Sequence, residues 1–179
     1  MSNLFKVILR GIALVWTLLI TALIGNVIAS NVNGHMVSVN FTIFVAALAW
    51  VALLYGLLTI FVESLLLPVA LLLLDGLATL FTFICAIVLA AELRAPNCGN
   101  IPHANLPGDW IGFGSHNDEK RCREIQASTA FMWFLWATFS LILFITFRET
   151  RSAGFGGSSR FSRSSRSSRP AMSQVSSAV

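Results

Sequence analysis

Asp75 is the residue with most chemistry to offer. It follows Leu71–Leu74 and lies roughly two turns into an apolar run of helical length. A carboxylate at that depth in a bilayer is costly and faces protein or water, not lipid. Two other charges share its level: Arg10, about one turn into the first apolar run, and Glu63, at the end of the second. Arg10 can neutralise either Asp75 or Glu63. Two chemistries follow. Arg10, Glu63 and Asp75 can form a polar clasp that holds helices in register, or Asp75 can serve a proton- or ion-coupling site. The clasp is the expectation. A transport path needs polar groups at successive depths, whereas the runs otherwise offer Asn26, near one end, and hydroxyls.

Cys98 and Cys122 are the second pair with chemistry. They sit at either end of the 92–126 loop, one just after the third apolar run and the other just before the fourth. In an oxidising compartment, where disulfides persist, a bridge is favoured over two free thiols. Closing such a loop stabilises by about 3–4 kcal/mol in the chain-entropy treatment. His103 and His116 share the loop. A zinc site needs about four nitrogen or sulfur ligands, but the spacing matches no zinc module, so no metal is expected. Cys85 lies inside the third run, where a lone thiol behaves as a small hydrophobe.

The third feature is a basic tail. Arg160, Arg163, Arg166 and Arg169 recur every third residue, with Ser162, Ser164, Ser165, Ser167 and Ser168 between them. Gly, Ser and Arg bury no core, so residues 151–179 read as a disordered tail. Each arginine near an anionic leaflet is worth about 1 kcal/mol. Phosphate on the serines would cancel that attraction. The tail is therefore a candidate lipid contact and phosphorylation segment. There is no nucleotide loop, no placeable Ser/His/Asp set and no His cluster, so neither an enzyme nor a cofactor is expected.

The elements that position these residues follow from composition. Hydrophobic residues make up 56% of the 179 and charged ones 11%, against roughly 25% charged in a soluble domain. Too little polar surface remains to cover a water-exposed fold. Four runs are near the ~20 residues that cross the hydrocarbon: about 7–29, 41–62, 69–91 and 127–147. A spanning segment must satisfy its own backbone, so each is expected to be a helix. The prediction is an all-α, integral membrane four-helix bundle over 1–150, followed by the tail.

Of the twelve Lys and Arg, two lie in the first ten residues and six in the last 32. The positive-inside bias then puts both termini in the cytoplasm and the long loop outside. Arg94, Lys120, Arg121 and Arg123 in that loop weaken the bias without reversing it. The +4 net charge belongs to the ends, so no nucleic-acid partner is expected.

Several local patterns resemble a known family. They are Leu74-Asp75 followed by Phe81-Thr82-Phe83, Leu93-Arg94-Ala95 with Cys98 nearby, and Arg121-Cys122-Arg123 followed by Gln126-Ala127. With four spans, a short second joint, a long two-Cys loop and a Gly/Ser/Phe/Arg tail, the chain is similar to MARVEL-domain membrane proteins. More closely, it resembles the fungal non-classical export protein family.

The resemblance implies a plasma-membrane protein of furrow-like, eisosome-associated domains. It implies roles in organising those domains, in sphingolipid-responsive signalling and in unconventional secretion. Expected partners are membrane lipids (anionic inner-leaflet lipids, sphingolipids or sterol), other membrane-domain proteins and further copies of the chain. The alternatives are a small transporter or channel subunit using Asp75, and a vesicle-trafficking factor.

Overall fold

The computed structural model describes residues 3–32, 36–62, 67–94, 97–103 and 107–156. Four helices dominate: α1 (Asn3–Ala29), α2 (Val37–Phe61), α3 (Pro68–Leu93) and α4 (Asp118–Gly156), with a 3₁₀ segment at Cys98–His103. All four are long and apolar enough to cross a membrane. At 25 to 27 residues, the first three measure about 40 Å, which exceeds a ~30 Å hydrocarbon core.

Each helix packs on its sequence neighbour, and α4 packs back on α1, so the four close into a ring. The start of α1 and the end of α4 share one end of the bundle, the terminal end. The long loop covers the opposite, cap end.

Small side chains let the helices approach closely. Ala13, Ala46, Ala49, Ala52, Ala78 and Ala86 are all buried. Larger residues such as Ile20, Leu53, Leu89, Met132 and Phe139 fill the space between them. Branched and aromatic side chains such as Val15, Leu18, Phe44, Val51, Leu80 and Phe134 point outward, as lipid-facing positions should. The hydroxyls of Thr17, Thr42, Thr82 and Thr138 each donate to the carbonyl four residues back. No water is needed to satisfy them inside a bilayer.

The helices are longer than their apolar runs. Hydropathy marks the immersed stretch, while backbone hydrogen bonding carries the helix into the polar interface. The difference is largest in α4, expected over 127–147. It starts at Asp118 because Asn117 caps it: the Lys120 N–H donates to Asn117 Oδ1 at 3.0 Å, satisfying an otherwise orphaned donor. Asp118 and Glu119 in the first turn complement the helix dipole. At its other end α4 continues to Gly156, so residues 151–156, expected in the tail, are helical. Cys122, expected just before the fourth helix, is inside it.

α3 opens on Pro68, whose missing N–H costs nothing in a first turn. It closes at Arg94, which takes a left-handed conformation (φ 54°) while its N–H donates to Ala90 O at 3.3 Å. That reversal turns the chain onto the top of the bundle.

Candidate functional site

Asp75 is fully buried and Arg10 is 3% exposed. The Arg10 guanidinium donates to both carboxylate oxygens, at 2.9 Å to Oδ2 and 3.4 Å to Oδ1. It also donates to the Ala52 carbonyl at 3.4 Å. The Thr146 hydroxyl lies 3.5 Å from Asp75 Oδ2. One ion pair thus joins α1 to α3, with contacts to α2 and α4. A buried charge that keeps its partner and its hydrogen bonds is tolerated; one that loses its partner is strongly destabilising. Glu63, the other expected member of the clasp, lies outside the described residues, as do Arg160, Arg163, Arg166, Arg169 and the five tail serines.

Two residues that complete this site are not among the expected clasp residues. Thr146 is separated from Asp75 by 71 positions and looked like any other hydroxyl in an apolar run. Gly56 makes room for the guanidinium: a Cβ there would lie 1.9 Å from Arg10 Nη1. Ala52 and Gly56, a small-xxx-small pair, are both buried. The available signal was therefore a glycine one turn past an alanine on the helix facing Arg10.

A cavity of about 340 Å³ reaches the ion pair from the terminal end, and all four helices line it. Arg10, Thr59 and Thr146 give it a polar inner wall, and Leu9, Leu71, Ile142 and Ile145 give it apolar sides. Lys6 and Glu149 also line it and form a salt bridge with each other. Beyond the pair, toward the cap, the buried residues are Ala13, Ala49, Ala78, Ile20, Cys85 and Leu89, with self-bonded threonines between them. The site presents a neutralised guanidinium at the inner end of a vestibule.

The cap end is held differently. Cys98 and Cys122 form a disulfide, with Cα atoms 5.7 Å apart, that closes a 24-residue separation. Beside it Arg121, 1% exposed, is surrounded by neutral acceptors. Its Nε donates to Ile111 O at 3.0 Å, and Nη1 donates to Asn31 Oδ1 at 3.1 Å and to Gly114 O at 3.5 Å. Nη2 lies 3.1 Å from Met36 Sδ. This residue therefore ties α4 to the loop and to the α1–α2 joint. From the sequence it was counted as a loop charge and as part of the Arg121-Cys122-Arg123 pattern, with no buried role.

Trp110 is 2% exposed and its Nε1–H donates to Leu93 O at 3.0 Å, filling a carbonyl left open at the end of α3. An isolated Trp in a Gly/Pro-rich loop was the signal for this plug. Among the described residues no group of three or more His, Cys, Asp and Glu could hold a metal ion.

The MARVEL profile, a membrane-associating domain, matches residues 3–145. The chain belongs to the MARVEL family. Two relatives from Saccharomyces cerevisiae carry the likeness further. Non-classical export protein 2 is 32% identical over 127 residues, which is 70% of this chain and 70% of that protein. Non-classical export protein 2 homolog 1 is 35% identical over 127 residues, again 70% of each. Neither the MARVEL family nor these export proteins form an enzyme family. No solved structure matches the chain. The MARVEL match spans all four helices up to Ile145, and so includes the ion pair, the cap and the vestibule except for Thr146 and Glu149.

Proposed function

We propose that this MARVEL protein is a non-enzymatic organiser of lipid and protein domains in the plasma membrane, of the eisosome type. Its setting would be sphingolipid-responsive signalling and unconventional protein export, the latter named in both yeast relatives. The observation that carries the reading is the core beyond Arg10–Asp75. That core is filled by small and branched apolar side chains and self-bonded threonines. Such a bundle offers its partners an outer surface rather than a lumen.

Lys6, Arg10, Arg148 and Arg151 cluster at the terminal end, which supports a cytoplasmic position for both termini. With that topology the arginine-rich tail would be tethered beside the anionic leaflet, at a high local concentration. Two or three phosphoserines, at about −1.5 to −2 charges each, would offset its four arginines.

The test is to image a tagged copy beside a furrow marker. Co-localisation in stable patches is expected; uniform surface staining or internal staining would overturn the reading. For the tail, a peptide of residues 151–179 should bind anionic vesicles in a salt-sensitive way and lose that binding on phosphorylation. Equal binding of both forms would remove the switch.

The vestibule gives a second reading, a small transporter or channel subunit using Asp75. An Asp75→Asn variant that assembles normally but loses an ion or proton flux would establish it.

A further inference from the structure

A second concave feature lies elsewhere, between α3 and α4. It is an open groove of about 450 Å³ lined by Leu72, Gly76, Thr79, Leu143, Phe144 and Phe147, with Ser140. Gly76 forms part of its floor, where an added Cβ would meet no atom within 4 Å. The two hydroxyls in its wall are already engaged: Thr79 donates to Asp75 O at 2.7 Å and Ser140 to Trp136 O at 2.8 Å. The groove therefore offers a ligand hydrocarbon contact and little hydrogen bonding.

Its terminal end is different. The Arg148 guanidinium sits over the Phe144 ring, 5.7 Å from the centroid, and that of Arg151 over the Phe147 ring at 5.5 Å. Both rings line the groove. Both arginines are exposed, and each follows its phenylalanine by four residues. The two cations thus share one stripe of α4, next to the groove and about one turn toward the terminal end.

From Ser140 to Phe147 is about 10 Å along the helix, enough for the upper half of an acyl chain. We propose that this α3–α4 face binds one anionic glycerophospholipid, with an acyl chain in the groove over Gly76 and the phosphate on Arg148 and Arg151. Guanidinium is suited to phosphate because its fork of donors matches the phosphate oxygens. A second copy of the chain is the poorer occupant. A two-fold contact through this face would bring the same four arginines together. The site stands independently of the domain-organising role.

The full-length protein in phosphatidylcholine bilayers, doped with spin-labelled phosphatidylglycerol or spin-labelled phosphatidylcholine, tests the site. Electron paramagnetic resonance reads the motionally restricted fraction of each. In 1 M salt the screening length falls to about 3 Å, which removes the tail's diffuse attraction. Under those conditions the protein should still favour phosphatidylglycerol about fivefold, the factor that ~1 kcal/mol confers. Arg148→Gln with Arg151→Gln should bring the preference to about one, while phosphatidylcholine stays restricted. Gly76→Leu should fill the groove and lower the restricted fraction of both lipids. Gly76→Ala, which adds only a methyl in open space, should behave as wild type.

Variants are scored only where non-reducing electrophoresis shows the Cys98–Cys122 bridge formed. No preference in the wild type, a preference unchanged in the double-arginine variant, or a restricted fraction unchanged in the leucine variant overturns the proposal. A wild-type dimer that Gly76→Leu dissociates would assign the groove to a second copy and overturn it as well.

Discussion

The two ends of the bundle each bury an arginine, and they satisfy it by opposite means. At the terminal end Arg10 meets a carboxylate, with one backbone carbonyl in support. At the cap end Arg121 meets two backbone carbonyls and the Asn31 amide oxygen. The difference follows from what each environment supplies. Within the helices nearly every carbonyl is already paired, so a buried cation there requires a counter-charge from a side chain. The cap is irregular backbone, and its carbonyls can turn onto a guanidinium without a directly bonded counter-charge, while Asp118 and Glu124 add longer-range attraction. A covalent bridge reinforces the cap, whereas the terminal end has only ionic and hydroxyl contacts. The two ends should therefore fail under different insults.

The largest effect is expected from Asp75→Leu, which leaves Arg10 buried and unpaired at a cost of about 3–5 kcal/mol. Poor assembly, read as loss of monodisperse protein in detergent, is the expected outcome, while the lipid-facing control Leu73→Ala stays normal. Arg10→Leu combined with Asp75→Leu should recover much of the loss, because it removes both charges. A double variant as impaired as the single would break the ion-pair account.

Next is the cap. Cys98→Ser with Cys122→Ser should cost about 3 kcal/mol, seen as a lower denaturant midpoint and faster proteolysis within 97–117. Thiol reductant should reproduce that effect in the wild type and leave the terminal end untouched.

Arg121→Gln should cost about 2–3 kcal/mol by stranding buried acceptors. It should act even with the disulfide intact, which separates the two cap devices. The smallest effect belongs to Lys6→Gln. Its bridge to Glu149 is partly exposed, at 29% and 39% for the two side chains, and such pairs are worth about 1 kcal/mol or less. A shift in the unfolding midpoint as large as that of the cap variants would show the vestibule lip to be far drier than its exposure implies.

The two ends also differ in how far the sequence disclosed them. An aspartate after four leucines is legible because its setting is so improbable, and Arg10 was one of few cations at matching depth. The cysteine pair was legible from its position and compartment. Arg121 was not, because a loop arginine looks solvated until the loop folds over it, and its acceptors are backbone carbonyls that carry no sequence signature. Thr146 was hidden because contacts across helices depend on rotation about the axis, which an apolar run hardly encodes. The early start of α4 was written in Asn117, Asp118 and Glu119. Counting hydrophobic residues passes over such a cap.

α4 runs for 39 residues without a break, a rod of about 58 Å. Near one end it carries Arg121 and Cys122, and near the other Thr146, which touches the ion pair. A stiff rod anchored near one end behaves as a lever. When a thinner or thicker bilayer changes its tilt, the disulfide-anchored end moves least and the end that touches Asp75 moves most. The cap is the fulcrum's fixed side because a covalent bond cannot slip there. The strain of any tilt is therefore delivered to the ionic end and to the vestibule that opens beside it.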